Sequence, residues 1–149
     1  MKSKKKANGF SLIELLLSIS LILVITSLST GFYARFLTQN SLANTVDSIV
    51  QDLRKAQFYA MVSRKGSTSG WGVNYSANTL TLYQGASYLT RNASLDEKIT
   101  VNPNISVAGL TDVNFARLTG IPSLAPTITV SGTGQTKVIS VNTQGVVSR

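Results

Sequence analysis

Residues 10–37 read FSLIELLLSISLILVITSLSTGFYARFL, and residues 1–9 before them read MKSKKKANG. No charged side chain falls between Glu14 and Arg35, so the uncharged run is about 20 residues. As a helix rising 1.5 Å per residue, that is about 30 Å, the thickness of a bilayer core. The run therefore predicts a membrane-spanning helix. Lys2, Lys4, Lys5 and Lys6 precede it, which predicts a cytoplasmic N-terminus and export of everything after Arg35. Glu14 interrupts the apolar run near its start, where an acid is costly unless paired and so marks a functional position. Two simpler readings are an ordinary secretory signal and a plain signal anchor. The first fails because the run exceeds a 7–15 residue core, holds an acid and is followed by no A-x-A site. The second leaves Glu14 without a role.

The string Lys6-Ala7-Asn8-Gly9-Phe10-Ser11-Leu12-Ile13-Glu14-Leu15 resembles the cleavage and methylation region of the type IV pilin and type II secretion pseudopilin superfamily. The resemblance covers about thirty residues and rests on a fixed order: basic leader, Gly, Phe, a hydroxyl residue, two aliphatics and Glu. It implies cleavage of the Gly9–Phe10 bond by a prepilin peptidase and N-methylation of Phe10 by the same class of enzyme. It also implies that Glu14 pairs with the new Phe10 ammonium of a neighbouring subunit during assembly. Many relatives carry a proline about two-thirds along the apolar segment, where this chain has Ser29-Thr30-Gly31. Glycine also loosens a helix, so the departure bears on curvature.

Composition narrows the rest. The 149 residues hold neither cysteine nor histidine, which removes disulfides, soft metal sites and the usual nucleophile–base pairs. No catalytic residue, metal or cofactor is expected, and the chain does not read as an enzyme. The formal charge is +8, but four of the 14 basic residues lie in residues 1–9, leaving ten against six acids. Arg91, Lys98, Arg117, Lys137 and Arg149 are scattered and not interleaved with stacking aromatics, so nucleic acid is disfavoured as a partner. Asp96-Glu97 sits in a polar segment and reads as solvated loop.

Beyond Arg35 the helical pattern continues. Leu42, Val46, Ile49, Leu53, Ala56 and Ala60 recur at three- and four-residue spacing, an apolar stripe that Val50 and Met61 widen. Arg64-Lys65-Gly66 reads as the helix end. From Gly66 the period switches to two, and six to eight short strands are expected. The clearest are Trp71–Tyr75 with Leu80–Tyr83, Val113–Leu118, the hairpin Thr127–Ser131 with Lys137–Asn142, and a short Val146–Ser148.

The expected architecture is α+β and pilin-like: a long N-terminal helix, membrane-spanning in its first half and amphipathic in its second, packed on a C-terminal antiparallel β-sheet domain. Its parts are a cytoplasmic leader (1–9), a transmembrane or filament-core helix (10–37), an amphipathic helix (38–65) and a β-rich domain (66–149). The resemblance implies a minor pilin or pseudopilin, most like the GspH/FimT type, built into a type II secretion or type IV pilus-like helical filament. Its partners would be the prepilin peptidase/N-methyltransferase, other subunits, an inner-membrane assembly platform and membrane lipid. Its location would be a single pass of the inner membrane with the C-terminal domain outside. The alternatives are a DNA-uptake minor pilin whose exposed domain binds DNA, and a simple membrane-anchored domain.

Overall fold

The computed structural model describes residues 10–149 apart from Thr133, and gives only the backbone of residues 28–32 and 34. Helix α1 runs from Leu12 to Met61. It opens on Ser11, whose carbonyl accepts from the amides of Glu14 and Leu15 at 3.0 and 3.2 Å. Glu14 in the first turn complements the positive end of the helix dipole. The hydroxyl residues of the apolar stretch bond back to the preceding turn: Ser18 to the Glu14 carbonyl at 2.7 Å, Thr26 to that of Ile22 at 2.8 Å. Such bonds let polar side chains sit in an apolar helix without orphaned hydroxyls.

The chain divides into two compact units, one ending at Phe36 and the other comprising Leu37–Arg149. Among the described residues no helix is long and apolar enough to cross a membrane. This overturns the membrane-spanning first half of the helix, and with it the single-pass inner-membrane location and the lipid contact it implied.

In the second unit, the α1 residues Leu42, Val46, Ile49, Leu53, Ala56 and Ala60 are all buried, with Val50 and Tyr59 beside them. Met61 is half exposed and does not extend this stripe inward. The helix ends at Met61, not at Lys65, because Ser63 and Lys65 are left-handed (φ 48° and 56°), with Arg64–Gly66 forming a 3-10 turn. The Ala60 carbonyl at the helix end is capped from far along the chain, by the Leu118 amide at 3.0 Å.

Eight strands follow: β1 Trp71–Ser76, β2 Thr79–Gln84, β3 Glu97–Thr100, β4 Ser106–Ala108, β5 Asp112–Phe115, β6 Thr127–Gly132, β7 Gln135–Val141 and β8 Val147–Ser148. Two four-stranded antiparallel sheets arise, ordered β3-β2-β1-β5 and β4-β6-β7-β8. The β1–β2 hairpin turns on Ala77 and Asn78, both at positive φ (48° and 57°), as a type I′ turn requires. β5 pairs with β1 (Trp71 opposite Phe115) and stops at Phe115, short of Leu118, because the chain there folds back over the end of α1. Alternate residues of each central strand enter one core with the α1 stripe: Trp71, Val73, Leu80, Leu82, Val113 and Phe115 from the first sheet, Ile128, Val130, Ile139 and Val141 from the second.

The outer face of the first sheet is covered by the segment between β2 and β3. Tyr83 lies opposite Gly72, where a Cβ would stand 2.4 Å from the Tyr83 hydroxyl, so only glycine lets the ring lie flat. The hydroxyl donates to Asp112 Oδ1 at 2.6 Å, and the Tyr88 amide donates to Oδ2 at 3.2 Å. Burial, with the Asp112 hydrogen bond, pushes the Tyr83 phenol far above its ordinary range. Arg91 stacks on the Tyr88 ring at 3.8 Å and donates to Asp96 Oδ2 at 3.0 Å. Asp96 is therefore not solvated: its side chain is 3% exposed and held by Arg91, while Glu97 pairs with Lys55 of α1.

Candidate functional site

The leader residues Lys2, Lys4, Lys5 and Lys6 and the cleavage residue Gly9 lie outside the described residues. Phe10 and Glu14 are described. Phe10 precedes the helix and is 75% exposed. Glu14 is exposed in the first turn, and among the described residues its carboxylate has no ion-pair partner. Around it, Leu12, Ile13 and every large apolar side chain from Leu15 to Ile25 stand more than half exposed, on all sides of the helix.

A helix that is apolar all round must be covered all round. Each Leu, Ile or Val moved from water into apolar surroundings contributes about 1.5–3 kcal/mol, so the segment has a large drive to associate.

The five scattered cations of the second unit do not converge. Arg91 and Lys98 both approach Asp96, at 3.0 and 3.7 Å, and Arg149 pairs with Asp47. Arg117 Nε donates to Ser63 Oγ at 2.9 Å. Lys137 lines a groove of about 460 Å³ between α1 and β7, with Ala43, Val46 and Val138. Among the described residues no group of acids, histidines or cysteines could hold a metal ion.

One titratable group is out of place. Asp52 on α1 is 6% exposed, and its Oδ2 has no hydrogen-bond partner among the described residues. Burial pushes its carboxyl up from 3.8 to about 6; Lys55 opposes the shift and Glu97 adds to it. The folded value lies above the unfolded one, so the fold favours the protonated acid. Its contribution to stability is fully present below about pH 4 and is lost as pH rises through about 6. Asp52→Asn, which cannot ionise, should raise stability at pH 7.5 by about 1–2 kcal/mol and leave it little changed at pH 4. Urea midpoints at the two values check this; an equal effect at both would remove the ionisation account.

Residues 4–30 match the family model described as the prokaryotic N-terminal methylation motif. This motif is typical of type IV pilin and pseudopilin superfamily members, and it implies processing by a prepilin peptidase/N-methyltransferase. It is a structural motif, in keeping with a non-catalytic role. No curated protein and no solved structure matches the chain.

The sequence did not reveal the Tyr83–Asp112–Tyr88 network or the Arg91–Asp96 pair. Their signal was faint: a carboxylate five residues after an arginine, and a tyrosine facing a glycine across a hairpin.

Proposed function

We propose that this chain is a filament subunit of the pilin or pseudopilin kind, cut between Gly9 and Phe10, methylated on Phe10, and assembled through residues 10–37. The observation that carries this reading is the methylation motif running directly into an exposed, all-round apolar helix with a single acid in its first turn. The Phe10 ammonium of one subunit and Glu14 of the next form the register contact. Such a contact is heterologous and open, so repetition gives a helical fibre and not a closed ring. Sister subunits and an assembly platform are the partners. Residues 38–65 and 66–149 form the outer domain, and its terminal hairpin supports a minor subunit of the GspH/FimT type.

DNA capture is the weaker reading, because three of the five candidate cations stand within ion-pair distance of Asp47 or Asp96 and the five form no continuous patch. Affinity for duplex DNA needs lysines and arginines free to meet successive phosphates.

The assembly reading is tested with a photo-crosslinking amino acid placed at Leu16, and separately at exposed Thr111, in cells that build the filament. Leu16 should give strong products with subunits that carry the same N-terminal motif. If a processed, normally expressed chain gives no protein product from Leu16, the segment is not an assembly surface.

A further inference from the structure

A second exposed apolar surface lies at the far end of α1, within the outer unit. Phe58, Met61 and Val62 are spaced i, i+3, i+4 and share one helix face. They are 56%, 41% and 52% exposed, while Tyr59 and Ala60 between them are buried. The loop after β5 returns beside them. Its Leu118 amide is held on the Ala60 carbonyl at 3.0 Å, and Gly120 (φ 66°) sits so close that a Cβ would fall 2.8 Å from Met61 Cγ. Leu118 and Ile121 on that loop are 64% and 54% exposed. Hydrogen bonds from Gln57 Nε2 to the Gly120 and Gln144 carbonyls, at 3.2 and 3.0 Å, fix the surroundings. Five large apolar side chains are thus held at one end of a fixed frame, the mark of an interaction surface.

The charges around it select the partner. Arg64, stacked on the Tyr59 ring at 3.9 Å, Lys65 and Arg117 are exposed around this surface, and none has a salt bridge among the described residues. In a second copy of this unit Asp47, Asp96 and Glu97 already hold cations of their own, Asp52 is buried, and Asp112 accepts from Tyr83. Two copies meeting through this surface would set like charges against each other. Nucleic acid would satisfy the cations but not the apolar centre, which has one aromatic ring and four aliphatic or thioether side chains.

We propose that this end of the outer unit docks a different protein chain, one presenting apolar side chains bordered by aspartate or glutamate. Phe58, Met61, Leu118 and Ile121 supply the contact, and Arg64, Lys65 and Arg117 set its orientation and exclude self-association. The surface does not draw on the N-terminal segment, so it stands or falls separately from the filament reading.

The test uses the full chain in its own cells. A carbodiimide joins an amine directly to a carboxylate within salt-bridge reach, and the linked peptides are sequenced by mass spectrometry. The expected product links Lys65 to an Asp or Glu of a chain other than this one, and a photo-crosslinker at Phe58 labels the same chain. Arg64→Glu with Arg117→Glu should lower both yields at least ten-fold, and reversing the charge of the identified acid should restore them. Ile121→Asp, at an exposed position, should do the same without unfolding the unit. Products with this chain alone, products with nucleic acid, or no product at wild-type protein levels would each overturn the proposal. So would yields that ignore the charge reversals. The Leu16 crosslink, measured in the same cells, separates this result from any failure of assembly.

Discussion

Glu14→Ala is expected to be expressed and cut after Gly9 like the wild type, and yet to be missing from assembled filaments. Glu14 is exposed and its side chain has no ion-pair partner among the described residues, so the fold of one copy depends little on its charge. Its place in the first turn gives a dipole benefit of well under about 1 kcal/mol, too little to unfold a helix end. In an assembly the balance differs. The Phe10 ammonium of a neighbour would be buried among leucines and isoleucines, and removing its partner leaves an uncompensated charge, a penalty of about 3–5 kcal/mol. That corresponds to a loss of incorporation of at least a hundred-fold. Glu14→Gln should rescue poorly, because an amide accepts a hydrogen bond but does not neutralise the ammonium. The check is the Leu16 crosslink yield and the content of sheared filaments at matched expression. Normal incorporation of the alanine variant would remove the charge-pairing mechanism.

The second large effect is on folding. Trp71 is fully buried, packs edge-on against Tyr59 with ring centroids 5.0 Å apart, and lies opposite Phe115 across the β1–β5 ladder. Trp71→Ala should cost about 3–5 kcal/mol, since the lost transfer energy and the residual cavity add. Against a total stability of about 5–15 kcal/mol for a domain, that makes the second unit marginal. Trp71→Phe should cost much less. The indole Nε1 has no hydrogen-bond partner among the described residues, so losing its N–H forfeits no bond. Phe58→Ala, on a residue 56% exposed, should be near neutral. Urea unfolding of the three variants gives the order; a costly Phe58→Ala or a benign Trp71→Ala would mean the core has been misplaced.

The sequence was most legible where a local period coincides with burial. The stripe Leu42–Ala60 could be read because three- and four-residue spacing puts side chains on one helix face, and the hairpin β6–β7 because its strands flank a glycine turn. The methylation motif could be read because its order of residue types is fixed over a short stretch. Pairing was not legible. Period two says which residues of Trp71–Tyr75 face inward, but not that β1 lies between β2 and β5, nor that the eight strands split into two sheets. The helix end was misread for a related reason. Gly66 supplied a good local stop signal, but the helix stops earlier at the left-handed Ser63, and the Ala60 carbonyl there accepts from Leu118, more than fifty residues on, as well as from Ser63. Asp96 looked solvated because its neighbours in sequence are polar, whereas its environment is made by Arg91 and the covered face of the first sheet. The expectation of a membrane span rested on residue types over 10–37 alone.

The central claim is that the chain enters a filament as a processed subunit starting at Phe10. It is tested most directly by the intact mass and N-terminal sequence of this chain recovered from sheared filaments. The account predicts a chain lacking residues 1–9, with one added methyl group on the Phe10 nitrogen. A filament-bound chain that keeps residues 1–9, or a chain absent from filaments in cells with an active peptidase, would contradict it.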